Sequence, residues 1–464
     1  MSRAKDLIKN TSILLIAKIS TQVINFLLLP LYTSLLTTEQ YGEVDVYTSL
    51  VMIIVPLITL QLEMAIFRFY ITEKGEQEKS DIVTSGYSIV FMITIIVSSA
   101  YFVSTLVADI NYRLLVFLYY LTQVWSAMLL QTCRAKGDNI SYGIGTLLNS
   151  SLAVMFNVVF IAFLGWKVEG ILISYVIAQT VGCLYMIARI KVHKILHKGK
   201  LDLIKCKELL SYSIPLVFNQ IASWAINYSD RLIILAFWGQ GINGIYSVAN
   251  KFSNVASTFF GVYNIAWTEN VIRSLDDKEA RRYVSKVFEI TFSLYLMIVI
   301  GVINLLPFFF DWLVNISFRD AYNHVPILLV AMLFSGMAAN IGSLYIAYKR
   351  TREVGVTTAL AGVCNVGVHF VLLNFVRLYA ASVSTLVSFV VLFIYRFIFA
   401  KKFFDLQVNI KAITFQLVIL IYSCVAYIID EPLLILTGLV LNLSYVCKFI
   451  YSNRNQIRLM IKER

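Results

Sequence analysis

The chain has 464 residues, of which 59% are hydrophobic and only 14% charged, and its mean hydropathy is +0.76. Soluble domains carry about 25% charged residues, so this composition excludes an ordinary globular enzyme or a soluble nucleic-acid-binding domain. The net charge of +12 calls for a topological explanation before any polyanionic partner is invoked.

Apolar runs of about 20 residues, long enough to cross a ~30 Å hydrocarbon core as helices, recur along nearly the whole length. They predict fourteen spans: 11–32, 42–67, 82–107, 114–133, 143–164, 169–189, 210–237, 244–268, 284–312, 325–347, 354–376, 379–399, 411–429 and 432–450. Arg3, Lys5 and Lys9 precede the first run as in a signal peptide. That run is too long and lacks a small-residue cleavage site, so it is expected to be a retained span.

With the N-terminus in the cytoplasm and the sides alternating, about 32 of the Lys and Arg residues fall at cytoplasmic ends, as the positive-inside rule requires. Arg113, Lys167, Arg319 and Arg377 fall outside, and Lys18, Arg231 and Lys251 lie inside spans. The expected localisation is the plasma or inner membrane, multi-pass, with both termini cytoplasmic.

Two blocks of the chain resemble each other. Leu7 to Val46 and Leu209 to Val248 match at an offset of about 202 residues, each with a long apolar run and a second run opened by Tyr41-Gly42 or Asn243-Gly244. A second echo is the basic turn Ala135-Lys136-Gly137-Asp138 against Ala347-Tyr348-Lys349-Arg350. The predicted organisation is an N-terminal six-helix lobe over 1–190, an amphipathic cytoplasmic linker over 191–208, a C-terminal six-helix lobe over 209–400, and two further helices with a tail over 401–464. His193 and His197 stand four apart but sit among lysines with no third ligand nearby, and no CxxC pair occurs, so no metal site is expected.

Polar residues mark faces on four helices. Asn243, Ser247, Asn250, Asn254, Ser257, Gly261, Asn264 and Thr268 are spaced alternately four and three, with Lys251 beside them. Asp45, Ser49, Met52, Pro56, Thr59 and Glu63 follow the same rhythm. Thr11, Lys18, Asn25 and Tyr32 lie seven apart, and Gln220, Ser223, Asn227 and Asp230 run beside Arg231. The spans at 82–107, 379–399 and 411–429 show no comparable charged face.

An ionisable group at a bilayer centre costs at least ~2.5 kcal/mol, so these charges are expected to face a hydrated path. Small polar residues can also serve close helix packing, and Asp230 and Arg231 could pair with each other or with charges on neighbouring helices. Lys18, Arg231 and Lys251 are the candidate anion-binding cations, since both residue types bind phosphate. Asn25, Asn227, Asn250 and Asn254 are candidate cavity-lining groups. Asp45, Glu63, Asp230 and Glu269 are candidates for H⁺ or Na⁺ coupling. No catalytic residue and no other cofactor are expected.

The blocks Asn10-Thr11, Leu28-Leu29-Pro30-Leu31-Tyr32-Thr33 and Tyr41-Gly42 resemble the first two helices of the Wzx-type polysaccharide flippases of the multidrug/oligosaccharidyl-lipid/polysaccharide (MOP) exporter superfamily. Tyr212-Ser213-Ile214-Pro215-Leu216, Ser229-Asp230-Arg231 and Asn243-Gly244-Ile245-Tyr246-Ser247-Val248-Ala249-Asn250-Lys251 are similar to that family's seventh and eighth helices. The resemblance implies an all-α, MATE-like bilobed bundle of about fourteen transmembrane helices. It further implies an undecaprenyl-diphosphate-linked oligosaccharide as substrate for capsule, O-antigen or exopolysaccharide assembly, alternating access with ion antiport, and polymerase or assembly machinery as partners. The alternatives are a lipid II-type precursor flippase, a multidrug cation antiporter, and, from another class, a membrane polysaccharide polymerase or glycosyltransferase. No Walker-type phosphate loop points to ATP hydrolysis, and a secondary transporter rather than an enzyme is expected.

Overall fold

The structure is a computed structural model that describes residues 22, 23, 26–106, 111–274, 280–404, 406 and 410–462. Among these residues there are helices and no strand. In chain order they are α1 (Leu29–Leu35), α2 (Thr38–Thr59), α3 (Leu62–Thr72), α4 (Glu76–Ser104), α5 (Arg113–Ala135), α6 (Asn139–Asn157), α7 (Val168–Ile190), α8 (Val192–Lys198), α9 (Leu203–Ser274), α10 (Ala280–Leu313), α11 (Val325–Ala347), α12 (Thr351–Val376), α13 (Tyr379–Ala400), α14 (Ile410–Ile429) and α15 (Pro432–Lys462). A π-helical stretch, Val158–Phe163, follows α6, and a 3₁₀ stretch, Ile316–His324, precedes α11. Eleven stretches are long and apolar enough to cross a membrane, and Ile413–Ile429 is a shorter apolar helix. One of the eleven, within α9, holds two expected spans, 210–237 and 244–268. Their gap falls at Gly239 (φ 82°, ψ −178°), a conformation at which only glycine is unstrained. The first expected span, 11–32, lies largely outside the described residues.

The chain packs as two compact units, Met1–Ser247 and Val248–Arg464. In the first, α5 packs on α2, α3 and α7, and α6 packs on α7. The short basic helix α8 packs on α4. There Gln77 Nε2 donates to the Lys198 carbonyl at 3.0 Å, and the Lys200 N–H to Asp81 Oδ1 at 2.7 Å. Leu201, Leu203 and Ile204 stay exposed beside it, the pattern of a segment lying along a membrane interface.

Local sequence sets several helix ends. Thr37 and Gln40 form a reciprocal capping box at the start of α2. The duplicated basic turns share one backbone form. Gly137 (φ 78°) and Lys349 (φ 58°) are both left-handed. The following N–H, of Asp138 or Arg350, reaches back five residues to the carbonyl of Cys133 or Tyr345.

The predicted second span, 42–67, is not one helix. It breaks between α2 and α3, where Leu60 (φ 48°) and Gln61 (φ 57°) are both left-handed, a conformation costing about 1–2 kcal/mol per residue. Pro56 supplies no N–H to the last turns of α2, and the Gln61 N–H turns instead to Thr59 Oγ1 at 3.2 Å.

In the second unit α10 binds the C-terminal pair. Gln416 Nε2 donates to the Ser293 carbonyl, Asn442 Nδ2 to the Met297 carbonyl, and Asn304 Nδ2 to Ser423 Oγ at 2.8 Å. Residues 293, 297 and 304 lie along one face of α10. Gly438 lets α15 approach, since a Cβ there would overlap Asn304 Oδ1. At one end Arg319 bridges Asp311 and Asp430, and Tyr322 stacks on Tyr427.

The span at 379–399 also holds a charge that its sequence pattern hid. Arg396 on α13 is buried. It donates to Thr357 Oγ1, to the Ala338 and Val354 carbonyls and to Thr358 Oγ1, each at 3.0 Å, and no carboxylate is among these partners. It ties α11, α12 and α13 together. Arg396→Ala should leave these acceptors unpaired at about 1–3 kcal/mol each and lower the melting temperature in detergent. Arg396→Lys should recover only part of the loss, because an ammonium lacks the planar fork. Unchanged melting in both variants would refute the clamp.

Candidate functional site

In the first unit, α2 and the α9 segment after Gly239 meet at the glycines that the duplication aligns. A Cβ on Gly42 would overlap the Gln240 carbonyl, and one on Gly244 would overlap the Thr38 carbonyl. This close approach sets the next turn of each helix face to face. Asp45 and Ser247, 202 residues apart, are equivalent positions of the two copies, and Ser247 Oγ donates to Asp45 Oδ1 at 2.6 Å. Asn243 Nδ2 donates to the Gly42 carbonyl at 3.0 Å and lies 3.4 Å from Asp45 Oδ2.

The α9 segment before Gly239 supplies the cation. Arg231 Nε donates to Asp45 Oδ2 at 2.9 Å, with the two side chains only 5% and 12% exposed. Arg231 Nη1 donates to the Asn227 carbonyl at 2.8 Å, and its guanidinium lies over the Tyr228 ring. Among the described residues Nη2 has no hydrogen-bond acceptor. Trp224 Nε1 donates to the Ser49 carbonyl at 3.2 Å, holding this segment against α2 one turn further on. Asn243 is fully buried, and its Oδ1 has no hydrogen-bond partner among the described residues.

The predicted residues fall into distinct places. Arg231 and Asp45 come together, and Asn243 and Ser247 of the polar stripe join them. Arg231 meets Asp45, not its neighbour Asp230, which accepts from the Tyr246 hydroxyl at 2.9 Å. Asn227 is exposed, and its Nδ2 donates to the Ser223 carbonyl. Glu63 is buried at the start of α3, where Leu62, Ala65 and Ile66 belong to an apolar cluster, and its Oε2 has no hydrogen-bond partner among the described residues. It does not join Asp45. Lys251, half-buried, Asn250, buried, and Asn254 and Glu269, exposed, belong to the second unit. Lys18 and Asn25 lie outside the described residues.

Two buried groups escaped the sequence reading. Glu43 accepts from the Tyr47 hydroxyl at 2.9 Å and from Asn111 Nδ2 at 3.0 Å. Asn157 Nδ2 donates to the Tyr32 hydroxyl at 2.8 Å, at the point where α6 passes into the π-helical stretch. Glu43 stands off the polar stripe of its helix, and nothing in the local pattern of Asn157 points to Tyr32.

Removing one member of a buried ion pair costs about 3–5 kcal/mol, whereas replacing both by apolar groups of similar size is close to neutral. Asp45→Leu and Arg231→Met alone should each lower the melting temperature in detergent, and the double variant should recover most of the loss. Strictly additive losses would mean that the two side chains do not depend on each other.

The chain is similar to known proteins at three levels. Residues 7–268 match the family described as polysaccharide biosynthesis protein. An uncharacterized membrane protein of Haemophilus influenzae (strain ATCC 51907 / DSM 11121 / KW20 / Rd) is 24% identical over 270 residues, which cover 56% of this chain and 64% of that relative. Among solved structures, the lipid II flippase MurJ in an inward closed conformation matches 97% of this chain and 100% of its own, with a TM-score of 0.72 and 14% identity. An inward-facing multidrug resistance MATE family transporter of the MOP superfamily matches 84% and 97%, with a TM-score of 0.65 and 15% identity. At such identities these likenesses speak for the fold, which is the MATE-like all-α bundle that the sequence led one to expect. This multi-pass membrane chain belongs to the polysaccharide biosynthesis protein family.

Proposed function

We propose that the protein is a flippase that carries an undecaprenyl-diphosphate-linked oligosaccharide repeat unit from the inner to the outer leaflet, by alternating access with H⁺ or Na⁺ antiport. The observation that carries this reading is the buried Asp45–Arg231 pair, built from helices of both copies of the duplication. A guanidinium is suited to a diphosphate through charge-assisted hydrogen bonds, and among the described residues Nη2 of Arg231 is uncommitted. The pair acts as a switch. While Asp45 is ionised it holds Arg231; a proton or Na⁺ on Asp45 frees the guanidinium for the substrate phosphate, and phosphate release returns it. Lys18 and Lys251 would add to the positive field along the path, Asn25, Asn227, Asn250 and Asn254 would meet sugar hydroxyls, and Glu63, Asp230 and Glu269 would serve as further ion-coupling carboxylates.

The family match and the flippase fold of MurJ support this reading over a membrane polymerase or glycosyltransferase. A lipid II-type precursor would use the same diphosphate chemistry and differ in the sugar. A multidrug cation antiporter is the weaker alternative, because a cation at the centre of the site disfavours cationic drugs. The six-helix lobes proposed for the chain are 1–190 and 209–400, joined by the amphipathic linker 191–208 and followed by the pair in 401–464, with both termini cytoplasmic.

The Asp45→Leu/Arg231→Met double variant separates switch from scaffold. It should reach the membrane at near wild-type abundance yet fail to translocate labelled lipid-linked oligosaccharide in reconstituted vesicles. Wild-type translocation by this variant would reduce the pair to a structural role, and transport of an organic cation without glycolipid transport would favour the drug antiporter.

A further inference from the structure

On the face of α2 opposite Asp45 lies a cavity of about 400 Å³, enclosed by α2, α4 and α5. Its wall is almost wholly apolar, with Leu50, Ile54, Val97, Phe117, Leu121 and Val124 contributing. Of the five hydroxyls in its lining, all but that of Tyr120 are turned into the protein. Tyr47 donates to Glu43 and the Asn111 carbonyl, Thr94 to the Val90 carbonyl, Ser98 to the Thr94 carbonyl, and Tyr101 to the Arg113 carbonyl. A cavity that withholds its donors and acceptors in this way does not suit a sugar or an ion. Water is also poorly accommodated, since a buried water needs two to four polar partners.

The occupant follows from where the cavity opens. Val97 both lines it and is 38% exposed. Beside Val97 on α4, Ile95 and Ile96 form part of an exposed apolar row of the kind that faces lipid. The cavity is thus continuous with the hydrocarbon-facing surface of the helix. At the ~30 Å³ that a water molecule takes in the liquid, close to the volume of a methylene, it holds a chain of about a dozen carbons.

We propose that this cavity is a lipid site that seats one acyl chain of a bilayer phospholipid, entering past Val97. Each methylene drawn in is removed from nothing more favourable than other hydrocarbon, so the gain is in filling the void with contacts the cavity wall otherwise lacks. The seated chain braces α2 from behind, on the helix whose other face carries Asp45. The site does not depend on which headgroup the protein translocates.

The test uses the full-length protein in phosphatidylethanolamine–phosphatidylglycerol vesicles doped with phosphatidylglycerol bearing a mid-chain diazirine. After photolysis, mass spectrometry should find label on Leu50, Ile54 and Leu121, as well as on the outward Ile95 and Ile96. Val97→Trp, which plugs the mouth, should reduce the inner labels about tenfold, the loss expected from forfeiting a few well-packed methylenes, and leave the outward labels unchanged. Leu121→Trp, which fills the cavity from its inner wall, is the second variant should the first not fold, and Ile96→Trp is the outward control. Label confined to the outward row, or inner label that persists in the plugged variants, would overturn the proposal. A diazirine-bearing polyprenyl phosphate that labels the inner positions and displaces the acyl probe would also overturn it, by assigning the cavity to the tail of the carried lipid.

Discussion

A charge carried into a membrane lobe must be met by another group of the same chain, because hydrocarbon offers it nothing. Asp45 and Arg231 meet that demand for each other, and much of the first unit's arrangement follows from bringing them together. The glycines Gly42 and Gly244 let two helices close to backbone contact. Gly239 ends one α9 segment and starts the next, so that one segment can present Ser247 and Asn243 while the other presents Arg231. Trp224 then pins the cationic segment to α2. The result, among the described residues, is a carboxylate with three donors and a guanidinium with one nitrogen uncommitted.

The same demand explains the polar groups of the second unit, where the solution differs. Arg396 has carbonyls and hydroxyls as partners and no carboxylate among them, so its charge is solvated by polar groups of α11 and α12. Asn304, Gln416 and Asn442 join α10 to the last two helices by side-chain amides. In lipid the hydrophobic effect does not drive one helix onto another, and such hydrogen bonds with small-residue contacts take its place. The C-terminal pair is therefore integral to this unit's packing.

Two breaks in regular helix stand near buried polar groups. The α2–α3 junction keeps two consecutive left-handed residues beside Glu63, and the π-helical stretch begins at Asn157, which is held by Tyr32. Irregular backbone inside a membrane lobe survives only where other groups of the protein satisfy it, and strain of this kind collects where a structure must move or bind. These features are consistent with the switch proposed for Asp45 and Arg231.

Most of the helix inventory was legible from apolar run length, because a fixed hydrocarbon thickness sets the length of a span, but the division of 42–67 into α2 and α3 was not. The duplication was legible too, as recurring motifs at a constant offset, and it pointed to Asp45, Arg231, Asn243 and Ser247 as polar positions worth attention. Pairing was not legible. Whether Arg231 meets Asp230, one residue away, or Asp45, 186 residues away, depends on how two helices cross. The burial of Arg396 was hidden because a cation near a helix end reads as a headgroup anchor until its neighbours are seen. The break at Leu60 left no distinct mark in the run 42–67, where Pro56 and a few polar residues are the interruptions. Sequence by itself thus determined which segments enter the membrane and which carry polar faces, since both follow from local transfer free energy. Only the tertiary structure decided which polar groups satisfy one another, since a partner for a buried charge is chosen by three-dimensional proximity, which no local pattern encodes.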